Sequence, residues 1–259
     1  MKERIEGKND IKSIVKASKI IDVIAFERKP LSLSELSNRL GMAKSTLHGL
    51  LSTLVNIHYL EQEQDTGRYK LGIQLFELGS QIANTWNEKE IAKSYMEKLV
   101  EKTGETVHLA MLSNGEVLYV EKQEAYSSIR IATAPGAKLP VHCTGVGKVL
   151  LAFSSAQEID EILKGYELSP HTEFTITDKG DLLSELQRIR RQGYAYDNQE
   201  FVDGLRCVSA PIFNHTNRVI FSLSVSGPLY RMQDEQIEKY RELLLDATYE
   251  ISRKLGYRK

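Results

Sequence analysis

Residues 44–56 place short hydrogen-bonding side chains along one side of a predicted helix. At about 100° per residue, the apolar and polar residues of this segment separate onto opposite sides. The apolar stripe consists of Leu47, Leu50, Leu51 and Leu54. The polar side carries Ser45, Thr46, His48 and Ser52, and Lys44 begins the helix. Small donors and acceptors of this kind suit contact with base edges in the DNA major groove, which admits an α-helix.

The residues on either side predict the frame that would hold this helix. Ser32 and Glu35 have the spacing of a capping box at the start of a preceding helix, and Gly41 is placed to end that helix. Beyond the polar helix, residues 59–63 and 68–71 predict two short strands joined by a turn that ends in glycine. We therefore expect a DNA-binding module over residues 1–72.

Charge is divided unevenly along the chain. Residues 1–72 contain 12 Lys and Arg against 9 Asp and Glu, a net charge of +3, whereas residues 73–259 contain 22 against 26, a net charge of −4. A basic first part fits phosphate contact by one end of the molecule, although the excess is modest and the affinity should fall as salt rises. The predicted phosphate contacts are Arg39, Lys44, Arg68 and Lys70. The alternative is a small helical domain whose polar side meets only water.

Composition sets the broad class of the protein. A chain of 259 residues, 41% of them hydrophobic, can form one large or two ordinary domains with real cores. It contains no run approaching the ~20 apolar residues of a membrane span. The first ten residues lack the apolar stretch of a secretion signal, so we expect a cytoplasmic protein without membrane contact. Two cysteines are too few for a disulfide framework.

The remainder of the chain predicts a linker and a second domain. An amphipathic helix is expected within residues 73–90, and strands and helices then follow over residues 91–259. Ser113-Asn114-Gly115 is a good hairpin turn between two alternating segments. Strands in the middle with helices segregated around them indicate an α+β domain. Further strands are predicted at 129–133, 194–197, 207–213 and 218–226, and a long final helix at 234–254.

Several residues of this second domain have the chemistry of a small-molecule site. Gly145-Val146-Gly147 begins a predicted helix, where free amides and the positive helix end favour a carboxylate. A phosphate loop is excluded because Val149 replaces the required Ser or Thr. Ser224 and Ser226 project from the same face of a strand. Asp197 is suited to orient a ligand hydroxyl, although a turn aspartate is equally common.

The chain resembles IclR-family transcriptional regulators over essentially its full length. The stretches that carry the resemblance are SIVKASKIIDVIA (13–25), LSLSELSNRLGMAKSTLHGLLSTL (31–54), RYKLGIQLFELG (68–79), LPVHCTGVGKVLLAF (139–153), IRRQGYAYDNQEFVDGLRCVSAPIF (189–213) and SLSVSGP (222–228). The resemblance implies a winged helix–turn–helix domain, a linker helix and a GAF-like domain that binds a small effector. It also implies homodimers or homotetramers on a palindromic operator of double-stranded DNA, most simply as a repressor, with no cofactor.

The resemblance also assigns an effector pocket and exposes one departure from the family pattern. The positions that match the family's pocket are Gly145, Val146, Asp197, Cys207, Ser224 and Ser226, with Leu205 and Ile131 as weaker candidates for its apolar wall. The family often carries arginine in the second helix where this chain has Gly49. Base readout would then depend on Ser45, Thr46 and His48.

Three other functions are compatible with parts of the sequence. A hydrolase would use Ser224, His142 and Asp197 as a triad, but no nucleophile-elbow sequence surrounds Ser224 or its neighbour Ser226. A thiol-based redox sensor would require Cys143 and Cys207 to lie side by side. A metal sensor would combine His142 and Cys143 with His108 or His171, although this spacing is not that of a structural zinc site.

Overall fold

The computed structural model describes residues 10–27, 29–85, 87–124 and 133–258, and of residues 82–85 it describes the backbone alone. The chain divides into two compact units, Met1–Trp86 and Asn87–Lys259. Among the described residues, no helix combines the length and the apolar character that crossing a membrane requires.

The N-terminal unit is a three-helix arrangement followed by a strand pair and a further helix. Its elements are α1 (Lys12–Glu27), α2 (Leu33–Leu40), α3 (Lys44–Asn56), β1 (Leu60–Gln62), β2 (Tyr69–Leu71) and α4 (Ile73–Thr85). The strands are antiparallel, with Leu60 opposite Leu71 and Gln62 opposite Tyr69. Both strands are shorter than the sequence predicts, because the turn that joins them occupies more of the segment.

Local sequence fixes the ends of α2 as expected. The Ser32 side chain accepts a hydrogen bond from the Glu35 amide while the Glu35 carboxylate accepts from the Ser32 amide, which completes the predicted capping box. Gly41 ends α2 with a φ of 63°, a conformation that favours glycine. The next helix begins three residues later, so the turn between α2 and α3 is short.

An apolar core joins α1, α2, α3 and the strand pair. It is formed by Ile20, Val23, Ile24, Leu31, Leu36, Leu47, Leu51, Leu54, Leu60 and Tyr69. Leu31, just before α2, exchanges two backbone hydrogen bonds with Tyr69 of β2, at 2.9 and 2.8 Å. The strand pair is therefore tied to the start of α2 by both backbone and side-chain contacts.

The C-terminal unit is built on an antiparallel sheet. Its elements are α5 (Asn87–Thr103), β3 (Thr106–Ser113), β4 (Glu116–Gln123), β5 (Lys138–Leu139), α6 (Gly145–Ala152), α7 (Ala156–Leu163), α8 (Lys179–Gln192), β6 (Ala195–Asn198), β7 (Leu205–Phe213), β8 (Val219–Pro228) and α9 (Asp234–Lys254). Within the described residues the sheet has six strands in the order β5-β4-β3-β8-β7-β6. The predicted α+β class is confirmed.

Strand register brings polar residues from distant parts of the chain into rows. Asp197 of β6 lies opposite Cys207 of β7, and Cys207 lies opposite Ser226 of β8. Two residues further along β7, Ser209 lies opposite Ser224. Because alternate residues share a face, the two rows lie on the same side of the sheet. Helix α6 contacts this part of the sheet and packs against α8.

One described strand differs from the sequence predictions, and one predicted strand lies almost entirely outside the described residues. The short strand β5 was not predicted, because two residues carry no detectable alternation. The predicted strand 129–133 lies outside the described residues except for Thr133, which is not in a strand. The predicted linker 73–90 contains the whole of α4 and the first turn of α5.

Candidate nucleic-acid interface and ligand cavity

Helix α3 exposes the polar side that the sequence predicts. Its apolar residues Leu47, Leu51 and Leu54 are buried in the core of the N-terminal unit. On the other side, the exposed residues include Lys44, Ser45, Thr46, His48, Gly49 and Ser52. Outside the helix's own backbone, no atom of the described residues lies within 4 Å of the position that a Cβ on Gly49 would occupy. The exposed side of α3 is therefore suited to contact with a partner.

Three of the four predicted phosphate contacts already have acidic partners. Arg39 pairs with Glu27, and Lys70 Nζ lies 2.9 Å from Glu61 Oε2. Arg68 Nη1 lies 2.9 Å from Glu35 Oε2 and donates to the Pro30 carbonyl oxygen at 3.1 Å. These pairs are at least partly exposed, so each contributes little to stability and can exchange partners.

Lys44 differs from these three cations. Within the described part of the chain it makes no ion pair, and its side chain is exposed at the start of α3. A phosphate that binds Lys44 would therefore displace no carboxylate of the described residues. A phosphate at Arg39, Arg68 or Lys70 would have to displace a carboxylate of the same unit.

A cavity of about 370 Å³ lies in the C-terminal unit, within the range of small-ligand sites. Its wall includes seven of the predicted effector residues, namely Gly145, Val146, Asp197, Leu205, Cys207, Ser224 and Ser226. The eighth, Ile131, lies outside the described residues. The remaining lining residues include His108, Tyr119, Thr133, Thr144, Phe201 and Ser209. The lining is mostly apolar in area, with polar groups at a few points.

One wall of the cavity is the beginning of α6. Thr144 caps this helix, since its Oγ1 accepts a hydrogen bond from the Gly147 amide at 3.2 Å and donates to the Pro140 carbonyl oxygen at 2.8 Å. The first amides of a helix have no partner within the helix itself. The amides of Gly145 and Val146 are therefore placed where a ligand oxygen can accept from them.

The sheet contributes hydroxyl and imidazole groups to the same cavity. Ser224 Oγ and Ser226 Oγ lie 3.4 Å apart, and Ser226 Oγ lies 3.5 Å from His108 Nδ1. His108 Nε2 lies 2.7 Å from Thr133 Oγ1. Ser209 is fully buried, and its Oγ has no hydrogen-bond partner among the described residues. An unpartnered buried hydroxyl costs free energy that a ligand can recover.

Burial changes the protonation of two groups in the cavity wall. Burial, with a smaller contribution from Lys122, lowers the pKa of His108 to about 3, so its ring is neutral near pH 7. Burial, with the nearby Glu200 carboxylate, raises the pKa of Asp197 to about 7. Asp197 Oδ1 accepts a hydrogen bond from the Glu200 amide at 2.8 Å. Near neutral pH, Asp197 is therefore able to donate as well as accept.

A buried ion pair supports the cavity from behind. Lys148 of α6 is 1% exposed and pairs with Glu200, while Glu185 lies 4.0 Å from its Nζ. The pair was not predicted, because a lysine one turn into an apolar helix gives no sign of its partner 52 residues away. The pair fixes the segment that follows β6, which carries Phe201 of the cavity wall.

His108, Thr133 and Ser209 also line the cavity, although the sequence did not predict them there. A signal existed for Ser209, because Cys207 was already assigned to the pocket and alternate residues of a strand share a face. His108 and Thr133 required the register between β3 and β8 and the path of the chain before β5. Neither is visible in local patterns.

The structure disfavours two of the alternatives, the hydrolytic triad and the thiol-based redox sensor. His142 Nδ1 and Nε2 lie 3.2 Å from the Tyr166 hydroxyl and 3.1 Å from the Ser169 carbonyl oxygen, so His142 is not aimed at Ser224 or Asp197. Cys143 and Cys207 are both buried free thiols. Burial raises the pKa of Cys143 to about 12 and that of Cys207 well above its ordinary value, so in the absence of a bound cation both side chains are held as thiols.

Two family models match the chain and together span most of it. The model described as the IclR helix-turn-helix domain matches residues 13–64. The model described as the bacterial transcriptional regulator IclR C-terminal domain matches residues 81–253.

Individual relatives and solved structures agree with these matches. The HTH-type transcriptional regulator XynR of Escherichia coli is 37% identical over 247 residues, covering 95% of this chain and 98% of XynR. The crystal structure of the Thermotoga maritima IclR has a TM-score of 0.71 at 35% identity and covers 96% of this chain and 100% of its own. An IclR homolog of Microbacterium hydrocarbonoxydans complexed with 4-hydroxybenzoate has a TM-score of 0.81 at 25% identity, covering 94% and 98%.

Proposed function

The chain belongs to the IclR family of bacterial transcriptional regulators, and on this premise we propose that it binds an operator through α3 and a small carboxylate through its C-terminal cavity. The observation that carries the proposal for DNA is the exposed side of α3, which bears hydroxyl and imidazole groups opposite the buried Leu47, Leu51 and Leu54. Ser45, Thr46, His48 and Ser52 read base edges in the major groove.

Phosphate contacts set the position of α3 on the duplex. Lys44 is the leading contact because it lies at the start of the helix without an internal acidic partner among the described residues. Arg39, Arg68 and Lys70 contribute by exchanging Glu27, Glu35 and Glu61 for phosphate oxygens. Because these exchanges are nearly neutral in energy, they add less to affinity than an unpaired cation does.

A carboxylate matches the polar groups of the cavity. The lining residues of the described structure include no lysine or arginine, so an anion must be held by amides and hydroxyls. The amides at the start of α6 and the free hydroxyl of Ser209 supply such donors. Asp197 adds a proton donor below a pH of about 7. The 4-hydroxybenzoate complex of the Microbacterium relative is consistent with a compact ligand bearing carboxylate and hydroxyl groups.

We propose a homodimer or homotetramer that places two N-terminal units on a palindromic operator. Exposed apolar side chains of the N-terminal unit support self-association, since Phe26 is 76%, Ile73 57% and Phe76 71% exposed. Successive major grooves lie about 34 Å apart, which sets the half-site spacing. The ligand changes operator affinity through the segment 73–90, provided that it binds the two states of the regulator unequally.

The protein acts as a regulator in the cytoplasm and not as an enzyme. Its relatives are transcriptional regulators, and the serine, histidine and aspartate that would form a triad have other partners. Repression, relieved or enforced by the ligand, is the proposed mode of action.

Point variants of α3 test the assignment of base readout. We expect Thr46→Ala to lower the preference for the duplex upstream of the protein's own coding sequence over scrambled duplex, by about 1–3 kcal/mol per lost base contact. Ser184→Ala is the matched control, since Ser184 is an exposed helical serine of the C-terminal unit whose Oγ donates to the Gly180 carbonyl. Equal preference in Thr46→Ala and in the unaltered protein would remove Thr46 from the readout.

A further inference from the structure

A cluster of two histidines and a cysteine lies beside the ligand cavity and is not part of its wall. One potential ligand atom from each of His142, Cys143 and His171 lies within 4.8 Å of the other two. His142 and Cys143 are buried, and His171 is exposed. Two imidazoles and a cysteine sulfur, which binds a metal as the thiolate after releasing its proton to water, are the donor set that borderline-soft divalent cations prefer.

Hydrogen bonding orients His142 for coordination. Its Nε2 lies 3.1 Å from the Ser169 carbonyl oxygen, which can only accept, so Nε2 carries the proton. The lone pair is therefore on Nδ1, which accepts from the Tyr166 hydroxyl at 3.2 Å. Histidine ligands of metal sites commonly donate the other ring N–H to a backbone carbonyl in this way. A cation bound at Nδ1 would take the place of the Tyr166 contact.

The three ligand atoms lie farther apart than they would around a bound zinc ion. In a tetrahedral zinc site, ligand atoms lie about 3.5 Å apart, given bond lengths of roughly 2.0–2.3 Å. Because the present atoms lie within 4.8 Å of one another, a pair at that limit must approach by about 1 Å. His171 is able to make this movement because it is exposed, in a segment without regular structure between α7 and α8. The same exposure gives a cation its path to the buried thiol of Cys143.

The segment that carries His171 is already anchored nearby. The hydroxyl of Thr172 donates to the Gln199 carbonyl oxygen at 2.7 Å, and that of Thr175 donates to the Glu200 carbonyl oxygen at 2.6 Å. The His171 ring lies 4.9 Å from the ring of Phe201 between centroids. These contacts keep His171 next to the other two ligands, so that the closure of about 1 Å involves His171 itself and leaves the anchored threonines in place.

We propose that His142, Cys143 and His171 bind one divalent cation of the zinc class, with a fourth position open to water. Hard cations such as Mg²⁺ and Ca²⁺ are excluded as occupants because the three groups offer nitrogen and sulfur in place of oxygen. A site with three protein ligands and an open position binds its ion exchangeably, in contrast to a closed structural zinc site. This assignment is independent of the carboxylate proposed for the cavity.

Such a cation would stiffen the wall of the ligand cavity. Cys143 directly precedes Thr144, which caps α6 and lines the cavity. His171 contacts Phe201, which lines the cavity from another side. Binding one ion to both would connect the start of α6 to the segment after β6. The cation would thereby stabilise the folded C-terminal unit in proportion to its occupancy.

The test is a titration of tag-free, metal-stripped full-length protein with Zn²⁺, followed by calorimetry. We expect one Zn²⁺ per chain and a rise in Tm with Zn²⁺ concentration. His171→Ala is expected to weaken binding by about 100-fold or more, because loss of even an outer-shell partner costs 10–100-fold. His215→Ala is the matched control, since His215 is also an exposed loop histidine of this unit, and it is expected to bind as the unaltered protein does.

The absorption spectrum of the Co²⁺-loaded protein is a second measurement, and it identifies the sulfur ligand. We expect Co²⁺ to produce a thiolate charge-transfer absorption that is absent from Cys143→Ser, provided that the variant retains its far-UV circular dichroism. His171→Ala, at an exposed position, keeps the test decisive if Cys143→Ser fails to fold. The proposal is overturned if the unaltered protein binds no Zn²⁺, or if His171→Ala binds it as tightly as His215→Ala does.

Discussion

A Cβ atom on Gly145 would lie 2.5 Å from the Oγ of Ser209, so the start of α6 and strand β7 approach closely at the cavity wall. Only glycine permits this approach without displacing the serine. The Ser209 hydroxyl is buried there without a hydrogen-bond partner among the described residues. This close approach places the Ser209 hydroxyl beside the N-terminus of α6, where it is available to bind a ligand.

Replacing Ser209 by alanine should separate ligand affinity from stability. Because the variant removes a desolvated hydroxyl, we expect its free energy of unfolding without ligand to stay unchanged or rise by about 1 kcal/mol. The thermal shift caused by a carboxylate ligand should shrink. Urea unfolding and a ligand titration measure the two effects, with Ser184→Ala as control. A loss of more than about 1 kcal/mol of stability would show that Ser209 is bonded in the folded protein.

Asp197→Asn should remove a pH dependence of stability. Burial raises the pKa of Asp197 to about 7 in the folded state, above its ordinary value of 3.8. Between these values the folded protein binds more protons than the unfolded chain, so the contribution of Asp197 to stability declines as pH rises through that window. The decline is at most about 1.4 kcal/mol per pH unit for one group. Above pH 7 no further loss is expected.

The measurement is urea unfolding of Asp197→Asn and of the unaltered protein at pH 5 and pH 8. Asparagine keeps the acceptor oxygen for the Glu200 amide without the charge. We expect the variant to gain stability relative to the unaltered protein on going from pH 5 to pH 8. A difference that is the same at both values would place the Asp197 pKa outside this window.

Lys44→Ala and Lys70→Ala should differ in their salt dependence. Lys44 has no acidic partner within the described residues, whereas Lys70 pairs with Glu61 at 2.9 Å. Loss of a phosphate contact makes the negative slope of log affinity against log salt shallower by about 1. We expect this change for Lys44→Ala and a smaller one for Lys70→Ala, measured by fluorescence anisotropy with a promoter duplex. The reverse order would mean that the ion pair of Lys70 opens freely on DNA.

Gly49→Ala should stabilise the N-terminal unit while weakening operator binding. Glycine in a helix interior costs about 0.5–1 kcal/mol relative to alanine, and among the described residues no atom outside the helix's own backbone lies within 4 Å of the added methyl group. Affinity should fall if the helix backbone approaches the bases at this position. Thermal unfolding and anisotropy measure the two effects. Unchanged affinity would show that Gly49 is not at the closest point of contact.

Local patterns were sufficient for the helices and the hairpin turns. The capping box of Ser32 and Glu35, the end of α2 at Gly41 and the span of α9 all follow from side chains within a few residues of one another. The antiparallel pair β3 and β4 follows from Asn114 and Gly115, which adopt the positive φ values of such a turn. These features depend on short-range chemistry, and the sequence contains it in full.

Long-range pairings could not be predicted from the sequence. The contact of Lys148 with Glu200 and the alignment of Ser209, Ser224 and His108 depend on strand register and on the return of the chain across the sheet. The acidic partners of Arg39, Arg68 and Lys70 were missed for the same reason. A count of basic residues therefore overstates the charge available to DNA, because three of the four predicted phosphate contacts are paired with carboxylates of the same unit.

The central claim is that one protein recognises a specific duplex with α3 and responds to a small carboxylate in its C-terminal unit. Fluorescence anisotropy at about 0.15 M salt, with the duplex upstream of the coding sequence and a scrambled duplex, tests it directly. We expect a preference of about 10³-fold or more for the upstream duplex, changed by roughly 5–150-fold by one member of a panel of metabolic carboxylates. Equal affinity for both duplexes, with and without every member of the panel, would contradict the claim.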